Sequence, residues 1–131
     1  MAIIIDSSIF IAATRVGDEC HQRGMEILTS LSLTGETLYV TDHILGEVTT
    51  FLVRKNGGKT AALVGSNMVE NYKVIFHDPV EVSEVLGIVE KYDVLSYCDA
   101  LSVIKMKKLK IEKIASFDSG FDKIHGIKRI F

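Results

Sequence analysis

The chain has 131 residues, 47% of them hydrophobic and 24% charged, a composition typical of soluble globular domains that excludes disordered and fibrous proteins. Its net charge of −2 gives no overall basic character, so nucleic-acid binding would have to come from locally placed cations. The longest apolar runs, residues 1–5 and 9–13, are too short to cross a membrane and lack the pattern of an export signal, so we expect a cytoplasmic protein with reduced cysteines.

Apolar runs, helix caps and helix breakers predict strands and helices that alternate along the chain. Short apolar runs bounded by polar residues predict strands, and apolar residues at helical spacing predict helices. In chain order we predict a strand over 1–5, a helix from Ser7 or Ser8, a helix over 18–33, a strand over 38–40, a helix from Thr41 or Asp42 to Lys55, a helix over 59–72, a strand over 74–76, helices over 80–91 and 99–109, and strands over 114–116 and 127–130.

Short apolar strands separated by helices are typical of a parallel β-sheet that is covered on both faces. The chain contains no internal repeat, low-complexity run or proline-rich linker, and its single proline, Pro79, lies where a helix is predicted to begin. The sequence therefore predicts one α/β domain over residues 1–131.

Several common functional motifs are absent. Residues 58–60 are similar to the end of a phosphate-binding loop, but Val53 stands where that loop requires a glycine. There is no dinucleotide-binding glycine pattern, no serine in a nucleophile elbow and no cysteine pair with zinc spacing. The four histidines show no i, i+4 pairing, so we expect them at the surface or in turns: His21, His43, His77 and His125.

Two aspartates come directly after predicted strands. Asp6 follows the run 3–5, and Asp118 lies just past the strand predicted over 114–116. In an open parallel sheet, ligands bind outside the carboxyl ends of the strands, where such side chains can reach them. Each residue alone could equally cap a helix or form a turn. The repetition at two strand ends favours a shared role.

Two further acids begin or border predicted helices. Glu47 borders the apolar face of the helix that follows the second strand, and Asp99 lies at the predicted start of the helix over 99–109. Alternatively, Glu47 could simply border the apolar face of its helix with its carboxylate in solvent, and Asp99 could simply stabilise the N-terminus of its helix by its negative charge. Four carboxylates at one sheet edge would repel one another unless a cation were present, and oxygen ligands suit Mg²⁺ or Mn²⁺. Such ions support phosphodiester cleavage.

Four segments of the chain resemble, in the same order, the four sequence blocks of PIN-domain nucleases. These segments are residues 3–9, 41–48, 95–100 and 115–122. The length and layout of the chain are similar to those of VapC-like toxins of type II toxin–antitoxin pairs. The resemblance implies a three-layer α/β/α sandwich with a central parallel sheet and metal-dependent endoribonuclease activity. It also implies that Mg²⁺ or Mn²⁺ is held by an acid pocket, defined here as Asp6, Glu47, Asp99 and Asp118.

The resemblance also implies supporting residues. Ser8 and Ser116 stand where the family has small polar residues, and each would orient a carboxylate or a bound water. Asp122 falls on a frequent family aspartate, as a helper or a structural cap. The residues at 119–120, Ser and Gly, depart from the charged turn that is common after the fourth acid.

The expected partners are an RNA substrate, a cognate antitoxin and a second copy of the chain in a homodimer, with no membrane. The homodimer rests partly on the resemblance and partly on apolar residues that exceed the needs of one core, namely Leu31, Leu33, Ile44 and Leu45. Two alternatives stay open. One is a PIN-domain nuclease of RNA processing or decay outside a toxin–antitoxin pair, and the other is a non-catalytic α/β binding module whose acids are caps.

Overall fold

The computed structural model describes all residues from Met1 to Phe131. Its five β-strands are β1 (Ala2–Ile5), β2 (Thr37–Thr41), β3 (Lys73–Ile75), β4 (Lys113–Ala115) and β5 (Lys128–Ile130). Its α-helices are α1 (Ser7–Thr14), α2 (His21–Ser32), α3 (Asp42–Asn56), α4 (Gly58–Asn71), α5 (Val82–Tyr92) and α6 (Tyr97–Leu109). Short 3₁₀ helices cover Pro79–Glu81 and Ser119–Lys123.

The strands form one parallel sheet in the order β3-β2-β1-β4-β5. The chain moves outward from β1 through β2 to β3 and then returns to the other side of β1 with β4, so the strand order reverses beside β1. Successive residues of a strand point to opposite faces, and Ile3, Ile4 and Ile5 of β1 are all at most 1% exposed. Helices therefore cover both faces of the sheet, and the expected three-layer α/β/α fold with a central parallel sheet is confirmed.

Helix α6 is the most deeply buried helix and carries part of a core of 27 buried residues. Its residues from Ala100 to Met106 are buried all around the helix, which packs against α5 and contributes to the hydrophobic core. A helix that is buried all round has no polar stripe, and this stretch is apolar or small except for Lys105, whose ammonium pairs with the buried Glu81 carboxylate. Its first turn is thereby fixed near the carboxyl ends of the central strands.

Helix boundaries differ from the sequence prediction where polar side chains cap a turn. Helix α6 begins at Tyr97, before the predicted Asp99, because the Ser96 side chain accepts from the Asp99 N–H and the Asp99 carboxylate accepts from the Ser96 N–H. Helix α2 begins at His21, after the predicted residue 18, because the Asp18 carboxylate accepts from the Cys20 N–H and closes a turn.

Gly57 separates α3 from α4. Its φ of 86° lies in a region that side chains with a Cβ rarely adopt, so the chain breaks the helix there and starts the next one at once. Residues 58–60 form the first turn of α4 and do not follow a strand, which agrees with the rejection of a phosphate-binding loop.

Two of the four apolar residues that suggested a homodimer belong to the core. Leu31 is 6% exposed and Ile44 is fully buried, whereas Leu33 is 82% exposed. The prediction that Leu31 and Ile44 exceed the needs of one core is therefore wrong, because α2 and α3 use them to cover the sheet. None of the helices combines the length and the apolar character that a membrane crossing requires.

Replacing Gly24 by alanine is expected to destabilise the fold. A Cβ at Gly24 would lie 3.1 Å from both the Ala13 nitrogen and the Ile9 oxygen, so α1 and α2 would have to separate at a backbone contact. We expect a loss on the order of 1–3 kcal/mol in the free energy of unfolding, measured by urea titration. Gly87→Ala is the matched control, since a Cβ there meets open space, and it should gain roughly 0.5–1 kcal/mol. A Gly24→Ala protein as stable as wild type would contradict this account of the α1–α2 contact.

Candidate active site

Asp6 lies at the carboxyl end of β1, where its backbone N–H donates to the Ala115 carbonyl of β4 at 2.9 Å. Its side chain is almost fully buried, and Oδ2 accepts hydrogen bonds from Ser8 Oγ at 2.8 Å and Ser116 Oγ at 2.7 Å. Oδ1 is buried with no hydrogen-bond partner in the protein. Burial raises the pKa of Asp6, and the neighbouring Glu47 carboxylate adds to the rise. Asp6 thus presents one fixed oxygen and one unsatisfied oxygen.

The two serines that hold Asp6 are themselves fixed by backbone groups. Ser8 Oγ accepts from the Phe117 N–H at 3.1 Å, and Ser116 Oγ accepts from the Asp118 N–H at 3.0 Å. Each hydroxyl therefore donates to Asp6 and accepts from the segment that follows β4. This network ties the end of β1 to the end of β4 at the reversal of strand order, where open α/β sheets bind ligands.

Asp99 and Asp118 lie beside Asp6. Burial raises the pKa of Asp99 to about 6, and the carboxylates of Asp6 and Asp118 contribute to the rise, against hydrogen bonds from Ser96 that lower it. Asp118 Oδ1 accepts from the Gly120 N–H at 2.8 Å and caps the 3₁₀ helix. Like charges thus oppose the ionisation of Asp99 in this part of the fold.

Glu47 reaches the same pocket from α3. Its Oε2 accepts a hydrogen bond from Ser7 Oγ at 2.6 Å, although the two residues are 40 positions apart in the chain. Burial raises the pKa of the Cys98 thiol well above its usual range, and the carboxylates of Glu47, Asp6 and Asp99 add to the rise. The structure therefore brings Asp6, Glu47 and Asp99 together around the buried Cys98 thiol, with Asp118 close enough to Asp99 to affect its pKa.

Asp122 is not brought into the acid pocket. It forms a two-pronged ion pair with Arg129, with Nε–Oδ1 at 2.8 Å and Nη2–Oδ2 at 2.9 Å, and this pair lowers the pKa of Asp122. Arg129 also donates from Nη1 to the Ser116 carbonyl at 3.2 Å and lies over the Phe131 ring. Asp122 thus holds Arg129, whose guanidinium lies near enough to Asp118 for that carboxylate to contribute to its raised pKa.

The acid pocket suits a hard divalent cation. The unpartnered Asp6 Oδ1 is a buried carboxylate oxygen without a donor, which natural structures rarely leave in place without a ligand or water. Burial raises the pKa of Asp99, and the Asp6 and Asp118 carboxylates add to the rise; a bound cation would offset both effects by favouring the charged form. The available donors are carboxylate oxygens, the ligands that Mg²⁺ and Mn²⁺ prefer.

A second group of side chains lies beside the acid pocket and was missed by the sequence analysis. Asp42, His43 and His77, here called the histidine cluster, place a carboxylate oxygen and one ring nitrogen of each histidine within 4.8 Å of one another. His77 is exposed, as expected for a surface or turn histidine, and His43 is half-buried, but the sequence analysis did not predict that the two would lie together. The signal that could have found them is position, since Asp42 and His43 follow β2 directly and His77 follows β3.

A cleft of about 1000 Å³ runs along α3, and its lining includes Glu47 of the acid pocket and Asp42 and His43 of the histidine cluster. Its lining changes from acidic to basic along the helix, and comprises Ile11, Asp42, His43, Gly46, Glu47, Thr50, Phe51, Arg54 and Lys55. Arg54 and Lys55 lie about two turns beyond Glu47, so an anionic polymer could be held at one end of the cleft while its backbone reaches the acids.

Comparison with known proteins identifies the family. The family model described as PIN domain matches residues 3–127. The chain belongs to the PIN domain family. This confirms the resemblance seen in the four sequence segments. No curated protein matches this PIN domain by sequence.

Solved structures with the same fold include several toxins. VapC20 of Mycobacterium tuberculosis, described as a sarcin-ricin loop cleaving toxin, has a TM-score of 0.78 at 23% identity and covers 92% of each chain. VapBC2 of Rickettsia felis, bound to a promoter DNA fragment, has a TM-score of 0.70 at 11% identity over 99% of this chain and 98% of its own. A toxin–antitoxin complex from Klebsiella pneumoniae has a TM-score of 0.69 at 14% identity over 96% and 95%. At these identities the likeness establishes the fold.

Proposed function

We propose that this PIN domain is a divalent-metal-dependent endoribonuclease and the toxin of a type II toxin–antitoxin pair in the cytoplasm. The observation that carries the proposal is the buried, unpartnered Oδ1 of Asp6 among the other carboxylates of the acid pocket. The position of that pocket, at the reversal of strand order, supports it. The toxins among the structural neighbours favour this biological setting over general RNA processing.

In this proposal the acid pocket holds Mg²⁺ or Mn²⁺ through Asp6, Asp99 and Asp118, with Glu47 completing the set. When bound, the ion supplies an activated water and stabilises the leaving oxygen in phosphodiester hydrolysis. Ser8 and Ser116 hold Asp6 so that Oδ1 points to the ligand, and Ser7 holds Glu47 in the same way. These hydrogen bonds fix the ligand oxygens before the ion arrives, which lowers the cost of ordering them.

The cleft along α3 is the proposed path of the RNA. Arg54 and Lys55 at its far end would contact phosphates, and Arg15, which lies 5.7 Å from the centre of the Phe51 ring, adds charge beside it. Such contacts position the backbone without reading sequence. We propose that the further protein partners are a second copy of the chain and an antitoxin, the latter supported by the toxin–antitoxin complex among the structural neighbours. The continuous core supports one domain over residues 1–131.

The proposed function predicts RNA cleavage that depends on a divalent ion. Purified protein should cut ribosomal and transfer RNA in Mn²⁺ or Mg²⁺ buffer, and an excess of EDTA should stop the reaction because the acid pocket then lacks its ion. Gel electrophoresis of end-labelled RNA measures the products and shows whether cuts are internal. A folded protein that leaves a broad panel of RNAs intact in both metals would contradict the nuclease proposal.

The repulsion at Asp99 predicts that the metal-free protein melts at a lower temperature at about pH 7.5 than at about pH 5. The pKa of Asp99 is about 6 in the fold against 3.8 ordinarily, so in this range the native state binds more protons than the unfolded chain. The free energy of unfolding must then fall as pH rises toward 6, which should lower the melting temperature by a few degrees. Saturating Mg²⁺ should recover the loss, and Asp99→Asn should reduce the pH effect.

Thermal denaturation followed by circular dichroism measures both effects. The comparison between wild type and Asp99→Asn removes contributions from other titrating groups, because those groups are common to both proteins. If the melting temperatures of the two proteins changed identically with pH, neither burial nor the neighbouring carboxylates would raise the pKa of Asp99 in the fold.

A further inference from the structure

The histidine cluster has the composition of a metal site that is distinct from the acid pocket. We propose that it binds one transition-metal ion of the zinc class, between the imidazoles of His43 and His77. The inference does not depend on nuclease activity. It rests on the position of these side chains, on the hydrogen bond between Asp42 and His77, and on the preference of imidazole for zinc, copper and nickel.

The parallel sheet brings the three residues together. Strands β2 and β3 are neighbours, and their pairing puts Thr41 beside Ile75 at their carboxyl ends. Asp42 and His43 follow at the start of α3, and His77 follows β3 after one residue. The Asp42 Oδ1 atom accepts from the His77 and His43 N–H groups, both at 3.1 Å, so the carboxylate fixes the two segments relative to each other.

Asp42 also orients the ring of His77. Its Oδ2 lies 2.6 Å from His77 Nδ1, and an ionised carboxylate can only accept, so Nδ1 donates and the lone pair of Nε2 is left for a ligand. This carboxylate–histidine pairing is the arrangement that fixes the tautomer of metal-binding histidines. No lysine or arginine forms an ion pair with Asp42, so its only ionic partner is His77.

The second imidazole lies edge-on to the first, with an angle of 86° between the ring planes. The ring centres of His43 and His77 are 5.5 Å apart, and the ring of Tyr97 lies 5.4 Å from His43 on another side. Ligand nitrogens around a tetrahedral zinc ion lie roughly 3.3 Å apart, given zinc–nitrogen distances of about 2.0 Å. One ring nitrogen of His43 and one of His77 lie within 4.8 Å of each other, so a small movement of the His43 ring would reach this spacing while Asp42 keeps His77 oriented. The His77 side chain is 48% exposed, which leaves room for water to complete the coordination.

The location connects the proposed site to the rest of the cleft. His43 and Glu47 are one turn apart on α3, and both line the cleft. Tyr97, which packs on His43, begins the helix that carries Asp99. An ion bound by the histidine cluster would therefore add positive charge at the edge of the acid pocket while it ties the ends of β2 and β3 together. The two sites differ in ligand softness, since one offers imidazole nitrogen and the other only carboxylate oxygen.

The test is metal binding by untagged protein that has been stripped with EDTA. Titration calorimetry with Zn²⁺ measures affinity, and the visible absorption of bound Co²⁺ reports nitrogen ligation. Wild type is compared with His43→Gln and His77→Gln, with Asp99→Asn as an acid-pocket control and His125→Gln as an exposed histidine control. Circular dichroism and the melting temperature establish that each variant is folded.

We expect one zinc ion per chain in wild type, with the affinity lowered by at least about tenfold in either cluster variant. The Co²⁺ band should also be lost in both cluster variants and retained in Asp99→Asn and His125→Gln. Unchanged zinc affinity in folded His43→Gln and His77→Gln would overturn the proposal and leave the Asp42–His77 contact as a structural hydrogen bond. Zinc binding that is lost only in Asp99→Asn would also overturn it, by placing the ion in the acid pocket.

Discussion

Asp99→Asn is expected to abolish RNA cleavage and to preserve the fold. The amide has nearly the shape of the carboxylate and keeps an oxygen that can accept from the Ser96 N–H, so the first turn of α6 stays capped. The change removes one negative charge and one strong oxygen ligand, which hard cations prefer to an amide. Loss of a well-placed ion or its water should slow cleavage by about a hundredfold or more.

The readouts separate a chemical effect from a folding effect. Cleavage of a labelled RNA in Mn²⁺ buffer gives the rate, and circular dichroism gives the fold. Asp93→Asn is the matched control, because Asp93 is an exposed aspartate near α6 whose backbone conformation, with φ of 57°, asparagine adopts readily. The metal-free Asp99→Asn protein should melt at least as high as wild type, since it lacks one repelling charge. A folded Asp99→Asn protein that cleaves at the wild-type rate would remove Asp99 from the proposed site.

The strands and the placement of the aspartates could be predicted because local sequence determines them. A run of isoleucines that ends at Asp6 has no face free for water, so it indicates a strand buried on both sides. The carboxyl ends of parallel strands share one edge, and this alone puts Asp6 and Asp118 on the same side of the sheet. Their direct approach depends on β1 and β4 being neighbours, which the structure shows and the chain order alone does not determine.

Other contacts depend on strand order and on side-chain partners far apart in the chain. His77 meets Asp42 only because β3 lies beside β2, and Asp122 is held by Arg129 only because β5 lies beside β4. The sequence places Ser7 only near the start of a helix, and the structure pairs its hydroxyl with the Glu47 carboxylate. No periodicity or spacing in the sequence encodes these pairs, because each requires the assembled sheet.

Glu81→Ala is expected to cause the largest loss of stability among the changes considered. Glu81 and Lys105 are 2% and 8% exposed, and Lys105 Nζ lies 2.5 Å from Glu81 Oε1. Lys108 Nζ contacts Oε2 at 2.9 Å, and the Asp78 N–H donates to Oε1, so the carboxylate is satisfied from several sides. Removing it leaves Lys105 buried without a counter-charge, which should cost about 3–5 kcal/mol in the free energy of unfolding.

Urea unfolding of Glu81→Ala and two comparison variants separates the contribution of the buried ion pair to stability from the contributions of helix propensity and surface charge. Glu84→Ala, one turn of chain away, removes only an exposed contact to Lys108 at 3.4 Å and should change stability by no more than about 0.5 kcal/mol. Glu81→Leu combined with Lys105→Leu removes both charges together and should recover most of the loss, because no unpaired charge remains in the core. If the double variant were as unstable as Glu81→Ala, packing at these positions rather than the stranded charge would explain the loss.

The Glu81–Lys105 ion pair should also make the stability of the wild-type protein depend on pH in the acid range. The hydrogen bond from Lys105, joined by the contact with Lys108, lowers the pKa of Glu81 to about 2 from an ordinary 4.5. A depressed carboxyl pKa contributes stability that is complete above the unfolded value and is lost as pH falls toward the folded value. The contribution of Glu81 should therefore disappear between about pH 4.5 and pH 2 in wild type. The double leucine variant should lose less stability over that interval, and urea titrations at several pH values measure the difference. If both proteins lost the same unfolding free energy between these pH values, the buried Lys105 would not lower the pKa of Glu81.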